Sequence, residues 1–323
     1  MNILYIFRRL LNAGGLILAV LVLNFTLIHL APGDPAEVLA GEMGGATEQM
    51  LADIRAAYGL DRPFHVQLAS YLGKVLHGDL GYSYYYNQPV AGLILDRLAP
   101  TVLLIVTALV LAILLGTFLG VLSAQKPNGA MSHLITVVAL IGFSTPVFWF
   151  GIMLIILFSV VLPIFPVAGM STPGGASGGP AHWWDVARHL VLPVITLSTI
   201  YLAFYSRLAR ASVLDVLGSD YVRTARAKGL SHFLVVYKHA LRNAVLPVVT
   251  YAGLHFAGVV SGAVLVETVF AWPGLGTLAF DSILRRDTPT LLGILFLSSV
   301  LVIVANLLTD VAYRLIDPRI GKQ

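Results

Sequence analysis

The residues that could do chemistry in this sequence stand in patterns that each lack a part. Ser261 and His255 are a hydroxyl and a base of the types that pair in nucleophilic catalysis. Six residues apart on one helix, they sit about 120° from each other around its axis, which is poor geometry for a proton transfer. His182 and His189 could offer two imidazoles to a metal ion, but no third ligand accompanies them, and they read as an interfacial pair in a Trp-containing stretch. Gly73-Lys74 and Gly321-Lys322 are followed by Val75 and Gln323, so neither completes the G-x-x-x-x-G-K-S/T loop that cradles phosphates. No H-E-x-x-H occurs, and no G-x-S-x-G nucleophile elbow is expected. The run from Pro173 to Pro180 reads as a flexible linker, not a phosphate cradle. The absence of cysteine excludes disulfides and thiolate metal sites. No catalytic, cofactor-binding or metal-ligating residue is therefore expected in this chain.

The elements that would position any functional residue are set by composition. Of 323 residues, 58% are hydrophobic and 11% charged, against roughly 25% charged in an ordinary soluble domain. Six apolar runs are long enough for helices that cross a bilayer, which takes about 20 residues. They are Leu10–Leu30, Leu98–Ala124, Leu134–Leu162, Leu190–Leu208, Val245–Val266 and Leu291–Leu315. None shows the period-two alternation of a barrel strand, and lipid admits only helices or closed barrels. The first run is too long for a signal-peptide core and lacks an A-x-A cleavage site, so it counts as a spanning helix. The expected fold is an all-α membrane protein with six transmembrane helices. It divides into residues 1–30, an external loop 31–97, and a five-helix core 98–323 with a cytoplasmic loop 207–243.

Orientation follows from the basic residues. With both termini cytoplasmic, thirteen Lys and Arg, from Arg8 and Arg9 to Lys322, fall inside and seven outside, four of those seven in the long loop 31–97. Short loops with the excess of positive charge stay in the cytoplasm, so both ends are expected there.

Both large loops carry helical patterns. In the external one, Met50, Leu51, Ile54, Ala57 and Tyr58 share a helical face that Gly59 stops, and Phe64, Leu68, Tyr71, Leu72 and Val75 form a second face. In the internal one, Asp220 is placed to cap a short helix that ends at Gly229. Ser231 can cap a second helix whose apolar face holds Phe233, Val236, Tyr237, Ala240 and Leu241. A helix, a glycine turn and an amphipathic helix make a rigid knob that could dock into a cleft of a soluble partner. The same basic loop could instead lie on anionic lipid heads.

Several stretches together carry a family resemblance. Ala225-Arg226-Ala227-Lys228-Gly229, followed by His239 through Pro247, resembles the cytoplasmic signature loop of binding-protein-dependent ABC permeases, in their dipeptide, oligopeptide and nickel branch. The general loop begins Glu-Ala-Ala; here Arg223-Thr224-Ala225 stands in its place, so no glutamate role carries over. Pro32-Gly33-Asp34-Pro35, Gly78 through Ser83, Phe270 through Gly276, Arg286-Asp287 and Asp317-Pro318-Arg319 match the same branch in order from end to end.

The resemblance implies a type I importer permease in a bacterial inner membrane. Its partners would be a second, similar permease, two ATPase subunits that use ATP and Mg, and an extracytoplasmic substrate-binding protein. Surrounding lipid is the remaining partner, and no nucleic acid is implied. ATP-driven closure would act on Arg223, Ala225, Arg226, Ala227, Lys228, Gly229 and Leu230. A peptide cargo is implied first, a nickel chelate or glutathione second.

Within the membrane, Gly116 with Gly120 and Gly258 with Gly262 are G-x-x-x-G pairs that read as helix-packing sites. Asn24, Ser144, Thr145, Thr199, Tyr205, His255, Ser261 and Asn306 are polar residues that could line a watery route, with His255, Ser261 and Asn306 the leading candidates. Asp310 reads as the partner of a basic group and Glu267 as a residue of the outer rim. An ion-coupled carrier would instead show acidic residues at membrane depth and repeated halves, which the sequence does not suggest.

Overall fold

The computed structural model describes the backbone at residues 3–30, 47–83, 85–176 and 178–316, and side chains there except at 3–10, 54, 57–58, 253–262 and 308–316. The regular structure of the described residues is helical apart from one two-stranded ribbon. In chain order they form α1 (Ile3–Leu30), α2 (Glu48–Tyr58), α3 (Phe64–Leu76), β1 (Tyr82–Ser83), β2 (Gln88–Pro89), α4 (Val90–Gln125), α5 (Ala130–Ser144) and α6 (Val147–Ile155). A π-helical turn (Ile156–Val161) extends α6. Then come α7 (Gly179–Leu217), α8 (Asp220–Ala227), a second π-helical turn (Leu234–Ala240) leading into α9 (Leu241–Val269), α10 (Leu275–Leu284) and α11 (Thr288–Ile316). The chain divides into two compact units, Met1–Ala99 with Gly274–Val304, and Pro100–Pro273 with Ala305–Gln323.

Among the described residues, four helices are long and apolar enough to cross a membrane, α1, α4, α7 and α11, or five spans if the bent pair α5 and α6 is one. The fifth apolar run lies in α9, 29 residues long. Two spans differ from expectation. The run Leu134–Leu162 is broken: α5 and α6 meet at 102°. Pro146 stands at the break; it offers no N–H and disfavours helical geometry at Thr145. The run Leu190–Leu208 is only the middle of α7, which has 39 residues. The first part of the loop 207–243 is therefore helix, and Ala209 and Val213 are buried in it.

In the first unit, Val90, Leu93, Ile94, Leu275, Leu278 and Ile294 form the apolar core. A Cβ added at Gly293 would come within 2.7 Å of Val90 Cγ1 and 2.9 Å of Ile94 Cδ1, so α11 and the start of α4 touch only because that residue is glycine. The C-terminal end of α1 meets α3 through rings: Phe25 stacks on His29 at 3.9 Å and on Tyr71 at 5.2 Å. Burial pushes the Tyr71 phenol up to about 12. Gly59, at φ 64, ends α2 in the left-handed conformation that glycine adopts without strain.

The second unit packs α4, α6, α7 and α9 around Leu104, Ala108, Leu192, Leu197, Tyr205, Val248, Phe270 and Trp272. The α4 glycines permit the closest approach. A Cβ at Gly116 would lie 2.8 Å from Tyr205 Cβ, and one at Gly120 only 2.5 Å from Ser206 O.

Candidate functional site

Between α7 and α9 the chain builds a knob whose underside is apolar and whose top is basic. Asp220 does not cap α8: Ser219 precedes the helix, and Asp220 is its first residue. The Asp220 carboxylate lies 3.3 Å from Arg223 Nη1, and both side chains are largely in solvent, so this pair adds little stability. Beneath α8, Val222 and Ala225 pack on Val235, with Val216 and Leu217 around them. Burial of these small side chains leaves Arg223, Arg226, Ala227, Lys228 and Gly229 on the exposed side.

The turn at the top is specified by one glycine. Gly229 has φ +78 with nothing within 4 Å of a would-be Cβ, so its backbone conformation, not lack of space, selects glycine there. Its N–H donates to Arg226 O at 2.9 Å, and the Leu230 N–H donates to Ala225 O at 3.4 Å. That pair of bonds is the Schellman stop, which satisfies carbonyls that the helix end would leave open. The Ser231 hydroxyl then accepts from the Leu234 N–H at 3.5 Å.

The next turn departs from expectation. Residues Leu234–Ala240 wind as a π-helix, whose i to i+5 repeat aligns Val235 with Ala240. Val235, Val236 and Ala240 are fully buried, while Phe233 is 66% exposed. A 3.6-residue repeat put Phe233 on the apolar face and left out Val235; the wider turn exchanges them. Two side-chain bonds hold the knob to its supports. Gln125 Nε2, at the end of α4, donates to Tyr237 Oη at 3.1 Å, and Asn243 Nδ2 donates to Tyr221 Oη at 2.8 Å. The result is a fixed platform carrying Arg226, Lys228, Leu230 and Phe233 outward.

Of the three leading path candidates, only Asn306 has a described side chain. His255, Ser261, Gly258, Gly262 and Asp310 lie outside the residues whose side chains are described, as do the motifs Pro32–Pro35 and Asp317–Arg319. Asn306 is exposed on α11. The hydroxyls of Thr145 and Thr199 donate to carbonyls four residues back, both at 2.7 Å, so they impose no polar surroundings. Tyr205 is fully buried against α4.

Sequence reasoning missed the burial of Glu267. It is fully buried and accepts from Thr101 Oγ1 at 2.7 Å. Five residues on, Trp272 is also fully buried and its indole N–H donates to Pro100 O at 3.0 Å. Glu267 therefore belongs to the interior of the second unit, not to a solvated rim. The signal was available: the apolar run does not stop at Val266 but resumes with Val269 and Phe270.

Among the described residues no group of three or more His, Asp or Glu is placed to hold a metal ion. His189 is buried, with Nδ1 2.9 Å from Asp185 O. Gly175 to Gly179 spell G-x-S-x-G, overlooked in the sequence; Ser177 lies outside the described residues, and among the described residues of the linker before α7 there is no strand. The strand-turn-helix context of a nucleophile elbow is missing.

Comparison with known proteins bears on the whole chain. Residues 112–322 match the family described as binding-protein-dependent transport system inner membrane component. Residues 2–105 match the N-terminal membrane-component family of the same systems. The dipeptide transport system permease protein DppB of Escherichia coli K12 is 40% identical over 333 residues, covering 98% of each chain. The oligopeptide transport system permease protein AppB of Bacillus subtilis 168 is 40% identical over 318 residues with the same coverage. Among solved structures, the inward-facing MetNI methionine ABC transporter superposes with TM-score 0.56 at 17% identity, covering 70% of this chain and 96% of the other. That likeness speaks to the fold.

Proposed function

The chain belongs to the binding-protein-dependent transport system inner-membrane components, and from that premise we propose that it is the peptide-conducting permease subunit of an ATP-driven importer. The observation that carries this reading is the 40% identity to dipeptide and oligopeptide permeases over 98% of the chain, loops included. A second, similar permease forms the other half of the path. Two ATPase subunits bind ATP and Mg, and an external binding protein delivers the cargo. The chain spans the membrane six times with both termini in the cytoplasm, which puts the basic knob on the side of the ATPases.

In this mechanism the knob does no chemistry. Its work is mechanical: Arg223, Ala225, Arg226, Ala227, Lys228, Gly229 and Leu230 sit on a stop that cannot slide, because Val222, Ala225 and Val235 are packed beneath it. Displacement of the docked partner passes to the π-turn, to α9 and, through Gln125 and Tyr237, to α4. The helices thereby alternate between inward and outward opening. His255, Ser261 and Asn306 remain the proposed path-facing positions.

Uptake of labelled di- and oligopeptides, and of nickel with and without a chelator, in cells with and without this gene tests the cargo. Loss of peptide uptake alone is the expected result; loss of nickel uptake alone makes the chain a metal-chelate permease and overturns the peptide assignment.

A further inference from the structure

The first two turns of α7 carry two neighbouring indoles that nothing in the second unit covers. Trp183 is 64% exposed and Trp184 70%. The polar groups around them bond to the linker that precedes the helix. Asp185 accepts from the Thr172 N–H at 2.6 Å and from the Thr172 hydroxyl at 2.8 Å, so the linker before α7 is strapped to the helix. Arg188 is exposed, and one nitrogen of its guanidinium donates to Ile164 O at 2.7 Å.

Two observations say what covers the indoles. First, α7 has 39 residues, about 58 Å at 1.5 Å per residue, against a hydrocarbon core of about 30 Å. Its apolar middle begins at Leu190, so Trp183 and Trp184 stand one to two turns beyond that edge, at headgroup height. Second, the exposed face is continuous: Trp184, Val191 and Ile195 follow at seven and four residues, one stripe that runs down into the apolar middle, and Ile195 is 38% exposed. Exposed Leu162, Ile164 and Val167 extend the apolar surface on the neighbouring linker.

We propose that this end of α7 is a phospholipid anchor, with the indoles of Trp183 and Trp184 seated at the boundary between headgroups and acyl chains. Arg188, beside them, offers its remaining N–H groups to a headgroup phosphate. Tryptophan suits that boundary because one end of the ring is apolar and the other donates a hydrogen bond. The anchor holds the depth of α7 while its far end moves with the knob. The inference rests on the chain being a membrane component, not on its cargo.

The sequence contains no cysteine, so a single introduced cysteine is unique on this chain. Trp183→Cys, Trp184→Cys and, as an aqueous control, Gly174→Cys are spin-labelled in the full transporter, its partner subunits cysteine-free, in nanodiscs of phosphatidylcholine and phosphatidylglycerol. ATPase activity verifies assembly, and collision with oxygen, which concentrates in lipid, is compared with collision with a water-soluble nickel chelate. Labels at 183 and 184 are expected to favour oxygen at shallow depth, and the label at 174 to favour the chelate. Chelate-dominated collisions at 184 would place it in water and overturn the anchor. Shielding from both reagents, alone or on adding the binding protein, would make this a protein-docking surface and overturn it equally. Because neither readout involves cargo, a failed peptide assignment leaves the result standing.

Discussion

Ser83 Oγ donates to Asp287 Oδ2 across 204 residues of sequence. Thr290 adds its hydroxyl to the same oxygen at 2.7 Å and directs its N–H toward Oδ1 at 3.4 Å. Asp287 is therefore both the cap of α11 and the anchor of the β1–β2 ribbon, and the two motifs Gly78 through Ser83 and Arg286-Asp287 are parts of one buried polar cluster. Arg285 lies over the Tyr85 ring at 3.8 Å on its outer side.

Removing the Ser83 hydroxyl withdraws a donor from a carboxylate that is only 8% exposed. A buried acceptor that loses a partner costs about 1–3 kcal/mol. Ser83→Ala is expected to lower the thermal midpoint of the purified transporter, and Asp287→Ala to lower it further, while exposed Lys74→Ala leaves it unchanged. Equal midpoints for all three would mean that the cluster holds nothing.

Gly116 and Gly120 are expected to tolerate no side chain. Leucine at either meets α7 backbone, since even a Cβ at Gly120 falls 2.5 Å from Ser206 O. Gly116→Leu and Gly120→Leu should abolish folded, membrane-inserted protein, whereas Gly73→Ala, with nothing within 4 Å, should not. Quantifying folded protein by fluorescence-detected size exclusion distinguishes the two sets.

Trp272 contributes both volume and a hydrogen bond. Trp272→Phe keeps most of the buried area and loses the bond to Pro100 O, a cost of about 1 kcal/mol. Trp272→Ala also opens a cavity and should cost about 3–5 kcal/mol. Thr101→Val tests the neighbouring bond to Glu267, with a loss of about 1–3 kcal/mol expected for a buried carboxylate deprived of a donor. Denaturation midpoints should fall least for Trp272→Phe, more for Thr101→Val and most for Trp272→Ala.

What the sequence made legible was local. Long apolar runs become helices because lipid leaves the backbone no other way to satisfy itself, and Gly59 and Gly229 end helices because they adopt positive φ at no steric cost. What it hid depends on partners elsewhere in the chain. Apolarity marked the centre of α7 but not its polar ends, which are helical because α7 packs along their length. A fixed 3.6-residue repeat put Phe233 on the buried face and left out Val235, because the π-turn aligns Val235 with Ala240. The bend at Pro146 was written in a residue whose consequence was not weighed. The burial of Glu267 was foreshadowed by the apolar run resuming at Val269 and Phe270, whereas the meeting of Ser83 with Asp287 is a tertiary fact with no signature in spacing.

The coupling turn offers the most direct test of an ATP-driven permease moved through its knob. Gly229→Val and Gly229→Asn are compared with the native chain in proteoliposomes that contain the partner subunits and binding protein, with ATP hydrolysis and peptide uptake measured in the same sample. Asparagine enters the left-handed region far more readily than a β-branched residue, so Gly229→Asn should retain most uptake per ATP. Gly229→Val should assemble and hydrolyse ATP yet lose uptake. Native uptake per ATP in Gly229→Val would contradict the account, because the stop at Gly229 would then transmit nothing.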